Sequence, residues 1–227
     1  MAERKFVLAV ALDGVIADFY GGLRPLAAEW LGVSESSLTT EVSGDLREWN
    51  LAGHADRAQA YANFIRYAVG RRDLYLELPA VSEAPATLRR LAALDSMRVR
   101  ILTDRTQTDD FGRDLFTQTV EWLERNAIPY WDVCPAEQRV TANADLYVEE
   151  SPDNVLLLRA AGRDVVVFTH STNRHLKAQH VPTWARLEKL VHKKLKLWSS
   201  HIARGPGVRQ AAARELGESS ARRDSSA

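Results

Sequence analysis

Residues 7–19 read VLAVALDGVIADF, an apolar run that stops at an Asp-Gly pair. An unbroken apolar stretch of strand length suits a parallel strand covered on both faces. The pair that ends it places a carboxylate, Asp13, at the edge of a sheet. Two residues before Asp13 stands Ala11, so a position from which a second carboxylate would join the first carries only a methyl group.

The rest of the chain supports a sheet of that kind. Phe6 to Leu12, Val99 to Leu102, Leu146 to Val148 and Val165 to Phe168 are apolar runs bounded by polar or turn residues, and each predicts a buried parallel strand. Helical patterns fall between them at Thr87 to Leu94, Phe111 to Arg125 and Asn154 to Ala161, the last with Gly162 as its stop. Strands alternating with helices predict an α/β fold, a three-layer Rossmann-like parallel sheet. The interval from Asp18 to Pro79 is too long for one crossover helix and contains helical patterns at Leu23 to Trp30 and Ala55 to Val69. An insertion rooted there would cover the crevice in which α/β sheets bind ligands. The expected organisation is therefore a core of residues 1–17 and 80–200, a helical cap of 18–79, and a disordered tail of 201–227 that is rich in small and charged residues. Trp184, Leu187, Val191, Leu195 and Trp198 form an amphipathic stripe expected to dock on the core.

Composition narrows the function. Lys plus Arg and Asp plus Glu number 30 each, which gives no broad attraction to a nucleic-acid polymer or an anionic membrane. Hydrophobic residues make up 45% and charged residues 26%, with no apolar run near the roughly 18 to 20 residues that span a bilayer. The N-terminal stretch meets Asp13 too early for a signal peptide, so a cytoplasmic location is expected. The single cysteine, Cys134, reads as a small buried hydrophobe. A small-molecule substrate fits this balance.

Three polar clusters follow strand ends in order: Asp13-Gly14, ILTDR at 101–105, and YVEESPDN at 147–154. All would gather along one sheet edge, which is the geometry of a site. With this company, ALDGVIADF against a D-x-D-G-V-x-A-D-F pattern, ADLYVEESPDNV, and VVVFTHSTN, which spans the last strand and the loop after it, the chain resembles the haloacid dehalogenase superfamily and, within it, the 5'(3')-deoxyribonucleotidase-like group. The resemblance covers about residues 5 to 190. It implies a phosphomonoester hydrolase acting on (deoxy)nucleoside monophosphates, with strand one near the sheet centre.

The resemblance also implies roles. The first Asp of the pair attacks phosphorus and forms an aspartyl-phosphate; Ala11 stands in its place. Asp13 matches the general acid-base, Thr103 the hydroxyl on a phosphoryl oxygen, and Arg139 the phosphate-binding cation that is usually Lys, with Gln138 an alternative alignment. Glu149 and Glu150 match the acids that hold Mg2+, and Phe19 a substrate-contacting aromatic. Trp49, Tyr61, Phe64 and Tyr67 are further candidates for stacking on a base, although aromatics at helical spacing are commonly core. Glu is a methylene longer than Asp and magnesium demands near-octahedral geometry, so with Ala11 the ion is expected to be weakened or lost. The alternative to an impaired nucleotidase is an inactive pseudophosphatase that binds a nucleotide or a protein partner.

Overall fold

The computed structural model describes residues 4–51, 56–70, 74–105 and 112–203. The chain divides into two compact units, Met1–Glu188 and Lys189–Ala227. The first holds a six-stranded parallel sheet: β1 (Phe6–Ala11), β2 (Met97–Thr103), β3 (Asp132–Pro135), β4 (Leu146–Glu149), β5 (Val165–Phe168) and β6 (His180–Val181) in the spatial order β3-β2-β1-β4-β5-β6. This is the α/β architecture expected. β1 lies between β2 and β4, with Val10 opposite Ile101 on one side and Val148 on the other. All of its residues except Val7 are buried, which is why its sequence shows no polar alternation. The order reverses between β1 and β4, so the ligand crevice of a doubly wound sheet falls at Ala11 and Glu149.

The helices are α1 (Phe19–Leu31), α2 (Arg57–Gly70), α3 (Leu74–Glu77), α4 (Ala84–Ala92), α5 (Gly112–Arg125), α6 (Pro152–Ala160) and α7 (Trp184–Ala203). β1, β2, β4 and β5 fall on the four expected strands, within two residues at each end. β3 and β6 were not expected. β3 is short, half-buried and closed by Pro135, and β6 has two residues, so each takes its conformation from the neighbour it pairs with rather than from an apolar run of its own. α7 continues to Ala203, past the point where a disordered tail was expected to begin; 204–227 lie outside the described residues, as do Ala55 and Phe111 at two expected helix starts. No described helix is long and apolar enough to cross a membrane.

The segment between β1 and α4 leaves and returns at one place. Ala17 pairs with Ala80 in an antiparallel bridge, Asp18 N–H donates to the Pro79 carbonyl (2.8 Å) and Val81 N–H to the Ile16 carbonyl (2.8 Å). α1 then starts on Asp18, whose Oδ1 accepts from Gly21 N–H at 3.0 Å, the usual capping bond. α1 and α2 meet through Trp30, which lies 6.2 Å from the Phe64 ring and 4.9 Å from that of Tyr67.

Two tryptophans tie this loop system to the sheet layers. Trp122 Nε1 donates to the Leu78 carbonyl at 2.8 Å, and Trp184 Nε1 to the Val15 carbonyl at 3.0 Å, both indoles being fully buried. Trp184→Ala is expected to destabilise the chain by about 3–5 kcal/mol through lost burial and the cavity left behind. Trp184→Phe, which keeps most of the volume but strands the Val15 carbonyl, should cost about 1–3 kcal/mol; chemical denaturation of both variants checks the ranking.

Candidate functional site

β1 ends at Ala11, and Leu12 continues the ladder by one further bond to the Leu102 carbonyl (2.8 Å) before the chain turns. The turn requires glycine. Gly14 has φ +73°, and a Cβ built on it would come within 2.3 Å of Glu150 Cγ. With no side chain there, the first residue after β4 packs directly against the Asp13-Gly14 turn.

Two arginines organise the charges at these strand ends. Arg105 grips Asp13 with both prongs, Nη2 to Oδ1 at 2.6 Å and Nε to Oδ2 at 3.1 Å. Its side chain is 1% exposed against 25% for Asp13. The Tyr75 ring covers the guanidinium at 4.3 Å, and the Arg105 Nη1 is buried with no hydrogen-bond partner among the described residues. Thr103, at the end of β2, is buried and accepts from Arg105 N–H through Oγ1 at 3.2 Å. Arg139 is also buried; Nη2 donates to Asp104 Oδ1 at 2.6 Å, and Nε lies 2.8 Å from Glu149 Oε1, an ion pair without the alignment of a hydrogen bond. Asn154, in the first turn of α6, reaches the other Asp104 oxygen at 3.4 Å.

The structure thus brings Asp13 to Arg105 and Arg139 to Glu149, with Ala11 at the last position of β1 and Thr103 at that of β2. Gln138, the alternative to Arg139, instead lines a separate cavity of about 380 Å³ beside Trp131 and Cys134. Cys134 is buried as expected, which pushes its thiol up.

Glu150 is fixed from the far side. Asn173, fully buried, donates through Nδ2 to the Glu150 and Phe168 carbonyls, both at 2.8 Å, and Thr172 Oγ1 lies 3.4 Å from Glu150 Oε2. Burial, reinforced by the charges of Glu149 and Asp13, pushes the Glu150 carboxyl up to about 8. Burial likewise pushes Glu149 up to about 7, against the pull of Arg139. Near neutral pH the acid pair therefore carries less than its formal charge.

Three tyrosines sense this cluster: burial raises Tyr20, Tyr61 and Tyr75, with Glu150 adding to the first two and Asp13 to the third. Tyr20 stacks on His170 at 4.7 Å. Phe19 meets Tyr20 edge-on at 5.7 Å. Of the other aromatics singled out in the sequence, Tyr61 is within electrostatic reach of Glu150. Trp49 and Phe64 are fully buried inside the insertion, Trp49 donating to the Thr39 carbonyl at 2.8 Å, and Tyr67 packs on Trp30. Arg105, Tyr20 and Tyr75 were not recognised as site residues in the sequence, although Arg105 closes the ILTDR motif. Among the described residues, no three His, Cys, Asp or Glu side chains are grouped so as to hold a metal ion.

Residues 5–197 match the model of the family described as 5' nucleotidase, deoxy (pyrimidine), cytosolic type C protein. A protein of Chlorobaculum tepidum named "Putative 5'(3')-deoxyribonucleotidase" is 38% identical over 184 residues, 81% of this chain and 89% of that protein. Among solved structures, a haloacid dehalogenase-like protein from Bacteroides fragilis superposes with a TM-score of 0.55 at 17% identity, over 81% of this chain and 100% of its own. The L-2-haloacid dehalogenase of Xanthobacter autotrophicus gives 0.53 at 14% identity, over 84% and 99%. At these identities the structural likeness concerns the fold.

The Glu150 carboxyl faces Glu149 and Asp13, with Asp104, Tyr20 and Tyr61 also within electrostatic reach. Its proton is held more tightly in the folded chain than in the unfolded one. Between the unfolded pKa of about 4.3 and the folded value of about 8, the native state binds more protons, so stability falls as pH rises through that window and levels off above it. Denaturant melts from pH 5 to 8.5 should show this decline, and Glu150→Gln should flatten much of it. Gly14→Ala should destabilise by about 1–3 kcal/mol, through the positive φ and the contact with Glu150.

Proposed function

This chain belongs to the family of deoxy (pyrimidine) 5' nucleotidases of cytosolic type C, and we propose that its site binds a deoxynucleoside monophosphate without hydrolysing it by an aspartyl-phosphate. The observation that carries this reading is Ala11. A covalent route needs a carboxylate oxygen at the end of β1 to form the bond to phosphorus while the ester oxygen leaves, and a methyl group has no electron pair to offer. Asp13, the residue that would pass the proton, has both oxygens engaged by Arg105. The changes agree with one another. The nucleophile position is Ala11, the acids expected to hold a cation are Glu149 and Glu150, and Asp13 is paired with Arg105, while the buried guanidinium groups of Arg105 and Arg139 suit a phosphate.

Binding is supported from two sides. Arg105, Arg139 and the Thr103 hydroxyl stand at the strand ends where an α/β sheet receives a phosphate. Tyr20, Tyr61 and Tyr75, all from the inserted segment of 18–79, lie within electrostatic reach of the same acids, and in this reading the aromatic surface of the insertion receives the base. In this reading the insertion is the cap of the pocket and residues 1–17 with 80–200 its base. Glu149 and Glu150 are here partners and spacers of the arginine pocket rather than holders of magnesium.

Calorimetry with thymidine monophosphate should give saturable binding below about 1 mM, a modest affinity for a small ligand. Phosphate release measured in parallel should stay at least about 10^4-fold below an ordinary turnover of roughly 10 per second, the scale of loss when a catalytic unit is broken. Release at about 1 per second would restore an enzymatic reading. No binding of any deoxynucleoside monophosphate would remove the ligand.

A further inference from the structure

We propose that Arg105 takes the place of a divalent cation in this pocket, so that the chain binds nucleotide independently of metal; this rests on the nucleotide-binding reading above. The donors argue for it first. Magnesium requires close to six oxygens in octahedral array at about 2.0–2.1 Å. Position 11 supplies a methyl group, both Asp13 oxygens accept from Arg105, and Glu149 is committed to Arg139. Among the described residues no alternative trio of donors is grouped.

The guanidinium itself argues for it second. A divalent ion in such a site neutralises carboxylates on one side and phosphate oxygens on the other. Arg105 already performs the first half, through a two-pronged contact at 2.6 and 3.1 Å. It keeps a donor for the second half, because Nη1 is buried and has no acceptor among the described residues. A buried donor left unmade is costly, and a phosphoryl oxygen that accepts from it recovers that cost. Position is fixed as well. The side chain is 1% exposed and held beneath the Tyr75 ring at 4.3 Å. Arg suits this double duty better than Lys, since its planar group presents several N–H bonds in fixed directions.

The test uses the full chain, with thymidine monophosphate as probe, by calorimetry in 1 mM EDTA and again in 5 mM MgCl2. The dissociation constants in the two buffers should agree within about twofold, and Arg105→Met should weaken binding by about tenfold or more, the usual effect of losing a hydrogen bond to a charged group. Arg105→Lys, which keeps the charge and so guards against loss of the fold, should fall between. Thermal melts with magnesium alone should leave the parent unmoved, and a magnesium-dependent rise in Tm should appear when Ala11→Asp and Arg105→Ser are combined. Tightening of tenfold or more by magnesium in the parent, or a rise in its Tm with magnesium alone, overturns this inference and leaves nucleotide binding standing. Binding unaffected by Arg105→Met also overturns it. Absence of binding in both buffers overturns the nucleotide reading, and the inference with it.

Discussion

The two-pronged hydrogen bond from Arg105 to Asp13 is the interaction on which the site depends. Four acids, Asp13, Asp104, Glu149 and Glu150, converge where the strands of an apolar sheet end; Glu149 and Glu150 are buried while Asp13 and Asp104 keep contact with solvent, and charge removed from water has to be paired or discharged. Two guanidinium groups and a retained proton meet that demand. Arg105 takes Asp13, Arg139 lies between Asp104 and Glu149, and burial holds a proton on Glu150. Once these pairs exist, the elements that carry them have little freedom. β2 must bring Thr103 and Arg105 beside the β1 turn, and β4 must present Glu149 to Arg139.

The fold supplies that placement by simple means. A parallel sheet with the order β3-β2-β1-β4-β5-β6 gathers the ends of β1, β2 and β4 side by side. Gly14 lets Glu150 approach the first turn, and Asn173 fixes the Glu150 carbonyl from the loop after β5. The inserted segment is pinned at both ends by the Ala17–Ala80 bridge, so Tyr20, near its start, and Tyr75, near its end, both come to the acid cluster. Trp184 closes the arrangement by holding the Val15 carbonyl of the same loop.

Much of this was legible in the sequence, for a physical reason. Central parallel strands are buried on both faces and leave an unbroken apolar run, so β1, β2, β4 and β5 announced themselves. β3 and β6 lie at the sheet edges, are short, and owe their conformation to a neighbour. The site divides in the same way. Asp13, Thr103, Glu149 and Glu150 sit at strand ends, which apolar runs locate. Arg139 was found by its position ahead of β4, and its burial between two acids is a finding of the structure. The role of Arg105 depends on a partner 92 residues away and on a tyrosine from the insertion, neither of which spacing reveals. The aromatic candidates were harder still. Trp49, Phe64 and Tyr67 have the helical spacing of core residues and serve as such, whereas Tyr20, next to the expected Phe19, is the one stacked on His170.

The most direct test is crystallographic. Crystals of the chain grown with thymidine monophosphate and manganese(II), which stands in for magnesium and is visible by its anomalous scattering, report phosphate and metal in one map. The account predicts the nucleotide phosphate accepting hydrogen bonds from Arg105, with the Arg105–Asp13 fork intact and no anomalous peak at the strand ends. Manganese bound by Glu149 or Glu150 beside a displaced Arg105 would contradict it.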